Sequence, residues 1–399
     1  MKTESRYKNK LTTESCFHLH KILDSVARYA KYIFIVLIIL AFSLSSVGNT
    51  YYPLLNKILQ LIAIIWIVLS YFFNFRYFSF HTKRISVILF FLLFVYSLFY
   101  ITRLDDLYTL IVTFIVPIFL GMYLKSRQDN SQIIYWTFIS IIILNFLALA
   151  NELITGQVLV NISEGYEIYI GGPIYHFGLF SDPKSGGVCI ALMTICLPPK
   201  YKYVYFIAFV ETILSGCRTS TVLLILPILY FVKESSRLSK FVVIGFIVFS
   251  FFEIISYLNL DSRVLERLLN VFSFADAGNE DRTFYMQKHF NIWVNHYNLF
   301  QYILGDYNYS RKIVGNGAES AILSLLLDCG LIVLLLYMEV LFKKIKKTCD
   351  LIDKANYFVL FVLMFVSGLG VGINSGYIFW YLISDGMSAK GNNKIGIGV

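Results

Sequence analysis

A glycine-rich segment at residues 171–187 (GGPIYHFGLFSDPKSGG) carries polar side chains that could contact an anionic substrate. Glycines let a backbone approach a phosphate closely, and the N-terminus of a following helix favours a bound anion. The segment therefore predicts a substrate-binding loop, and an ordinary turn before a membrane helix is the alternative interpretation. Its candidate substrate-binding residues are His176, Gly178, Asp182 and Lys184.

A lone arginine, Arg218, lies in the short turn SGCRTS at residues 215–220, between two hydrophobic stretches. A guanidinium close to a membrane surface either pairs with an anion or extends to lipid headgroups. Arginine suits phosphate because its planar fork donates two parallel hydrogen bonds. Arg218 is therefore a candidate phosphate ligand, with headgroup contact as the alternative.

The longest polar segment covers roughly residues 257–317 and is rich in Arg, His and aromatic residues. The spacing of its apolar residues predicts an amphipathic helix over 258–274, a turn over 276–281 and a second helix over 282–300. We expect the chemistry of the protein to involve this segment.

The second of these helices carries side chains that suit sugars and phosphates. Arg282, His289 and His296 recur every seven residues and therefore share a face, with Tyr285 and Trp293 beside them. Arginine binds phosphate, and histidine can exchange a proton near neutral pH. A solvated helix that lies on the membrane surface, with its aromatic residues in the interface, is the alternative.

The polar segment closes with GNGAES at residues 315–320, where Glu319 stands at the start of a hydrophobic stretch. A carboxylate at this position could act as a general base, or it could be a helix N-terminal charge that the helix dipole favours. Asp328 in the same stretch and Glu211 in another are further candidates, because an intramembrane carboxylate is usually functional.

The hydrophobic stretches themselves predict an all-α, polytopic integral membrane protein. Apolar residues make up 57% of the 399 residues and charged residues 15%, whereas a soluble domain has about 25% charged residues. A span needs about 20 residues, and we predict about twelve transmembrane helices with one long helical periplasmic loop. Eleven is the alternative, because the last stretch is short. The predicted spans are 32–47, 55–74, 85–101, 107–124, 132–150, 185–198, 201–215, 219–232, 240–257, 319–342, 356–373 and 375–386.

Most of the 34 Lys and Arg residues fall in every second gap between these stretches. Cytoplasmic loops retain basic residues, so the alternation predicts that both termini are cytoplasmic. The predicted organisation is a basic tail (1–31), nine spans with an outer loop at 151–184 (32–257), a large periplasmic loop (258–318), three spans (319–386) and a C-terminal tail (387–399).

Several classes of ligand are not expected. The six cysteines are scattered with no CxxC pair, so neither a disulfide framework nor a zinc site is predicted. The net charge of +9 follows from the basic inner loops, and without a recognition motif we expect no nucleic-acid partner. No Asp-rich metal motif is evident, so we expect no metal and no cofactor.

Taken in order, these segments resemble the O-antigen polymerase and ligase superfamily, bacterial enzymes that act on undecaprenyl-diphosphate-linked sugars. The G-x-F-x-x-P-x-x-x-G loop of that family is matched by GLFSDPKSGG at 178–187, and its S-x-S-R-T-like turn by SGCRTS. The family has an Arg and a Trp in its long outer loop, matched by Arg282 and Trp293. The last motif of the family is a short polar segment that opens a span and is followed by a glycine. It is matched by ESAILSLLLDCGLI at 319–332, in which the glycine is Gly330.

The departures from the family pattern favour a polymerase over a ligase. Cys217 stands where the family often has Ser, and Lys184 replaces a common Asn. Ligases usually carry a His in the motif after the long loop, whereas this chain has Glu319 and Ser320.

The resemblance implies glycosyl transfer at the outer face of the bacterial inner membrane. Arg218 and Arg282 would bind the diphosphate, Glu319 would be the general base with His289 in reserve, and Lys184 would line the cavity with the glycine loop. The implied partners are an undecaprenyl-diphosphate-linked oligosaccharide, membrane lipid, a chain-length regulator and a flippase.

Three other readings of the chain stay open: an O-antigen ligase, a lipid-linked oligosaccharide flippase or other transporter, and a structural membrane component. The charges concentrate in the outer loops, and no matched pair of Gly/Pro-broken spans is evident, which favours an enzyme over a transporter.

Overall fold

The computed structural model describes residues 25–26, 29–75, 78–126, 130–162, 175–234 and 277–385, and every structural statement below refers to these residues. Within them the chain is helical and has no β-strand. The predicted all-α class is therefore confirmed for the described part of the chain.

Fifteen helices organise the described residues. They are α1 (Tyr29–Ser43), α2 (Ser45–Tyr51), α3 (Pro53–Asn74), α4 (Phe80–Phe99), α5 (Leu104–Ser126), α6 (Ser131–Thr155), α7 (Pro183–Ile195), α8 (Lys202–Leu214), α9 (Arg218–Glu234), α10 (Ala277–His296), α11 (Leu299–Leu304), α12 (Tyr309–Val314), α13 (Ala321–Lys347), α14 (Leu351–Val366) and α15 (Gly376–Ile383). Two of them contain a π-helical turn, at Ile111–Ile115 in α5 and at Leu325–Cys329 in α13.

Five helices are long and apolar enough to cross a membrane, namely α3, α4, α5, α6 and α13. A sixth span results if α1 and α2, which meet at an angle of 82°, are counted as one. Large apolar side chains such as Phe72 and Phe73 on α3 and Phe80 on α4 are exposed, as a lipid-facing surface requires. The described residues therefore contain five or six helices with the length and composition of membrane spans, as a membrane protein requires.

The prediction of twelve spans is wrong for the described part of the chain. Helices α7 and α8 have 13 residues each, α14 has 16 and α15 has 8, all fewer than a span needs. Helix α9 is described for 17 residues, up to Glu234. Hydropathy located these helices, but caps and turns such as Asp182 and Gly216 cut them short. The predicted span at 240–257 lies outside the described residues.

Helix α15 shows why a strongly apolar segment need not face lipid. Each of its residues is buried, and it packs along α5, where a Cβ at Gly121 would overlap Trp380. The ring of Trp380 lies 4.8 Å from that of Tyr337 on α13, and the hydroxyl groups of Tyr377 and Ser43 are hydrogen-bonded. A helix that is apolar all round is stable when protein surrounds it.

The polar loops gather at two ends of the helix bundle. At the first end, Arg103 pairs with Asp306, and the Tyr51 hydroxyl donates to the Leu159 carbonyl (2.7 Å). At the second end, Arg84 pairs with Glu339, and Lys347 Nζ lies 2.9 Å from Asp385. The loops that meet at the first end were predicted to be outer, and those that meet at the second end were predicted to be inner. Which end faces the cytoplasm remains a prediction from the basic residues.

The long polar segment differs in part from its prediction. The predicted helix at 258–274 lies outside the described residues. The predicted turn at 276–281 is wrong from residue 277 onward, because α10 begins at Ala277 and continues to His296.

Candidate functional site

The glycine-rich loop is held by two polar side chains of α6. Glu152 Oε2 accepts hydrogen bonds from the backbone N–H groups of Phe177 and Gly178, both at 2.9 Å. Asn145 Oδ1 accepts from the N–H of Leu179 at 2.9 Å. Gly178 has a φ of +58°, and a Cβ there would overlap Asn145. These N–H groups therefore bind the side chains of α6, and the glycine is needed for close packing.

His176 lies at the start of this loop beside the same carboxylate. Its Nδ1 is 3.4 Å from Glu152 Oε1, and both side chains are at least nine-tenths buried. Its backbone N–H donates to the Leu214 carbonyl at the end of α8 (3.1 Å). Within the described residues, Nε2 has no hydrogen-bond partner. The predicted substrate ligand His176 is thus part of the anchor that joins the loop to α6 and α8.

A small cavity lies behind the loop. Its volume is about 10 Å³, and its lining includes Asn145, His176, Glu211 and Ser215. Asn145 Nδ2 donates to Glu211 Oε2 at 2.7 Å, and Glu211 is 1% exposed. The volume suits about one water molecule, so the cavity is too small for a sugar.

The glycine loop and the Arg218 turn meet directly at Gly187. A Cβ at Gly187 would lie 2.7 Å from both Cys217 Cβ and Ser215 Oγ, and 2.9 Å from Ser220 Oγ. Only a glycine allows α7 to approach the first turn of α9 so closely. The structure therefore brings two of the sequence motifs into one place.

Charged groups flank this contact. Asp182 is the N-cap of α7, where its Oδ1 accepts from the N–H of Lys184 at 3.0 Å. Asp182 and Lys184 are both close enough to Cys217 to interact electrostatically with its thiol. Arg218 is half-buried and begins α9. Asp182 thus shapes the loop, while Lys184 and Arg218 supply positive charge beside two helix N-termini.

The aromatic helix α10 forms a second cluster, packed against α12 and the start of α13. Arg282 lies on α10, as predicted, in a part of the helix for which only the backbone is described. The half-buried Tyr285 lies with its ring 5.7 Å from that of Phe284. The half-buried Trp293 lies with its ring 4.9 Å from that of Tyr302. These contacts account for Trp293 as part of a small apolar core.

His289 is enclosed between α10 and the loop that precedes α13. Its side chain is 0% exposed, and the backbone of Asn316 and Gly317 lies beside its ring. Neither ring nitrogen makes a hydrogen bond of regular geometry within the described residues. Burial lowers the pKa of His289, and the neighbouring backbone raises it by less. His289 therefore does not reach a substrate in this conformation.

Glu319 is exposed and directly precedes Ser320, the N-cap of α13. The Ser320 hydroxyl donates to the Met364 carbonyl at 3.2 Å, and the N–H of Ala321 donates to the Ser367 carbonyl at 2.7 Å. These bonds attach the start of α13 to the end of α14. Glu319 is thus accessible on a fixed element, at the same end of the bundle as Arg103 and Asp306.

Sequence reasoning missed a third polar cluster, at the break of α13. Gly330 has a φ of +76°, which interrupts the helix. The Leu327 carbonyl accepts from the N–H of Asp306 (2.7 Å) and the Tyr297 hydroxyl (3.2 Å), and the Cys329 carbonyl accepts from the Tyr96 hydroxyl (2.6 Å). The carbonyls freed by the break are therefore satisfied by protein groups, as they must be at membrane depth.

Signals in the sequence could have pointed to Arg103 and Asn145, which the sequence analysis did not select. Arg103 is an arginine in a gap predicted to be outer, where basic residues are few, so a partner such as Asp306 could have been sought. Asn145 is a polar residue inside a predicted span, and such residues need internal partners. Which residues serve as those partners depends on the packing of the helices.

Comparisons of the chain with protein-family models, with curated proteins and with solved structures give no match. Within the described ranges, no group of three or more His, Cys, Asp or Glu residues lies close enough to hold a metal ion. The functional argument therefore depends on the motifs and on the contacts given above.

Proposed function

We propose that the protein polymerises undecaprenyl-diphosphate-linked oligosaccharide repeat units at the outer face of a bacterial inner membrane, as an O-antigen polymerase does. The observation that carries the proposal is the contact of Gly187 with Ser215 and Cys217. It joins the two motifs that most resemble the O-antigen polymerase and ligase superfamily.

The reaction needs positive charge beside the phosphates of the leaving group. The acceptor hydroxyl attacks the anomeric carbon of the donor glycan, the bond to the diphosphate breaks, and undecaprenyl diphosphate leaves. Lys184 and Arg218 stand at the starts of α7 and α9, where each helix dipole adds partial positive charge. In this proposal, Arg218 binds the diphosphate with Arg282, and charge that develops on the leaving oxygen is stabilised electrostatically.

The base must reach the hydroxyl proton of the acceptor. Glu319 is exposed, whereas His289 is fully buried, so burial favours Glu319 over His289 for this role. His176 and Glu152 act as positioning residues, because they hold the glycine loop on α6. In this proposal, the half-buried Tyr285 of α10 supplies an aromatic surface for the glycan, and Trp293 packs in the apolar core beside it.

The proposal is tested by complementing a polymerase-null strain that carries the matching repeat-unit genes, with surface polysaccharide resolved as a ladder on a gel. We expect the wild type to restore the ladder and Arg218→Ala, Arg282→Ala and Glu319→Gln to lose it at equal membrane abundance. Arg311→Ala is the matched control, since Arg311 is an exposed arginine at the same end and lies outside all the motifs. Single capped repeat units from every variant, including the wild type, would contradict the proposal.

A second candidate is a flippase for the same lipid-linked oligosaccharide, and the broken helices favour it. The 82° bend between α1 and α2 and the interruption of α13 at Gly330 are features that transporters place near their substrate sites. Complementation of a flippase-null strain distinguishes the two candidates. A flippase would restore both single units and polymer there, whereas a polymerase would restore neither.

A further inference from the structure

A cavity of about 330 Å³ opens at the second end of the bundle, away from the glycine loop. Its walls come from α5, α6, α8, α9, α14 and α15 together with the turn after α7. Cavities of this size accept small ligands. The proposed polymerase site leaves it unused.

Five tyrosines give the cavity an aromatic wall, together with one lysine. Lys125, in the last turn of α5, lies with its Nζ 5.0 Å from the ring centre of Tyr381. Lys125 makes no ion pair with a carboxylate within the described parts of the chain. Lys125 is half-buried, and the Asp385 carboxylate acts on it from beyond ion-pair distance, so the ammonium favours an anionic partner in direct contact. The tyrosines are Tyr135, Tyr205, Tyr230, Tyr357 and Tyr381.

Acidic groups line another part of the same cavity. Asp350 and Asp353 stand at the beginning of α14, and Asp353 interacts electrostatically with Lys344. Lys344 lies near the ring of Tyr357, with its Nζ 5.7 Å from the ring centre. The cavity therefore holds both basic and acidic groups, which suits a ligand with a phosphate and an ammonium a few atoms apart. The tyrosine rings also attract an ammonium through cation–π contacts.

The surroundings of the cavity indicate that the ligand comes from the membrane. Three of its tyrosines have a large exposed apolar side chain as a neighbour in the chain: Trp136 (54% exposed) follows Tyr135, Leu229 (58%) precedes Tyr230, and Phe358 (57%) follows Tyr357. These residues offer apolar surface for acyl chains next to a polar cavity. Tyrosine and tryptophan together are typical of the membrane–water interface.

We propose that this cavity binds the headgroup of a zwitterionic aminophospholipid, with the phosphate on Lys125 and the ammonium near Asp353 and the tyrosine rings. The site is independent of the polymerase reaction. It holds a structural lipid between α5, α9 and α14.

The test uses the full-length protein, delipidated in detergent, with phosphatidylethanolamine and phosphatidylglycerol of identical acyl chains as probes. Native mass spectrometry counts the retained lipid across a titration. We expect phosphatidylethanolamine to bind about tenfold more tightly than phosphatidylglycerol, and Lys125→Gln to weaken its binding about tenfold, the loss expected for one charge-assisted hydrogen bond. Asp353→Asn should remove the preference between the two lipids.

Lys200→Gln is the matched control, since Lys200 is an exposed lysine near the cavity that does not line it. It should bind both lipids as the wild type does. Equal binding of the two lipids by the wild type would overturn the proposal, as would binding that neither Lys125→Gln nor Asp353→Asn changes. If Lys125→Gln fails to fold, the loss of preference in Asp353→Asn decides alone.

Discussion

Arg103 and Asp306 are 203 residues apart in the chain, and Arg103 Nη2 lies 2.9 Å from Asp306 Oδ1. Asp306 is buried and also accepts a hydrogen bond from Gln301 Nε2 at 2.8 Å. Its backbone N–H binds the Leu327 carbonyl at the break of α13. The pair therefore links the start of α5 to the segment that stabilises an interrupted spanning helix.

Removal of Arg103 should destabilise the protein, because it leaves the buried Asp306 carboxylate without its cation. We expect Arg103→Met to cost about 2 kcal/mol, the order of magnitude for a lost hydrogen bond between charged groups. Thermal unfolding in detergent measures the effect, and a cycle with Asp306→Asn isolates the pair. Lys312→Met is the control, because Lys312 is 61% exposed in its pair with Asp106 and should contribute less than about 1 kcal/mol. Equal losses for Arg103→Met and Lys312→Met would show that the buried pair has no special role.

A side chain at Gly187 should separate the two motifs. Gly187→Val places atoms where Ser215, Cys217 and Ser220 already lie, so we expect about 1–3 kcal/mol of destabilisation and loss of the polysaccharide ladder. Gly317→Ala is the control, since no atom lies within 4 Å of a Cβ at that position. A ladder of normal intensity from Gly187→Val would mean that the contact is not needed for activity.

Truncation of Glu152 should release the glycine loop. In Glu152→Ala, the N–H groups of Phe177 and Gly178 lose their acceptor, so hydrogen exchange at these two amides should become faster. Asn151→Ala removes an exposed side chain of the same helix and should leave their exchange unchanged. Unchanged protection in Glu152→Ala would show that other contacts hold the loop.

The buried His289 should make stability depend on pH. Because burial lowers its pKa below the ordinary value of 6.5, the unfolded chain binds more protons than the folded one as the pH falls through this value. The contribution of His289 is therefore complete above about pH 6.5 and is lost progressively below it.

Thermal unfolding between pH 7.5 and 5.5 should accordingly show a smaller pH dependence for His289→Gln than for the wild type. His296→Gln should behave as the wild type does, because His296 is exposed. Identical pH dependence in all three proteins would contradict a neutral, buried His289.

The sequence by itself determined the class of the protein and the sites of its helices. The hydrophobic stretches predicted an all-α membrane protein, because apolar surface must leave water wherever it lies. Local signals also predicted the helix that carries Arg282 and His289, since periodicity is a property of one segment. The alternation of basic residues assigned each loop to one of two sides. The contacts at each end of the bundle join loops that it had assigned to the same side.

Only the tertiary structure decided how many helices can span and which polar groups meet. Hydropathy does not distinguish a helix in lipid from one enclosed by protein, so α15 resembled a span although each of its residues is buried. The partners of Glu152 and Asp306 also could not be predicted. A polar side chain in an apolar helix needs a partner, and the packing of distant segments selects which one it finds.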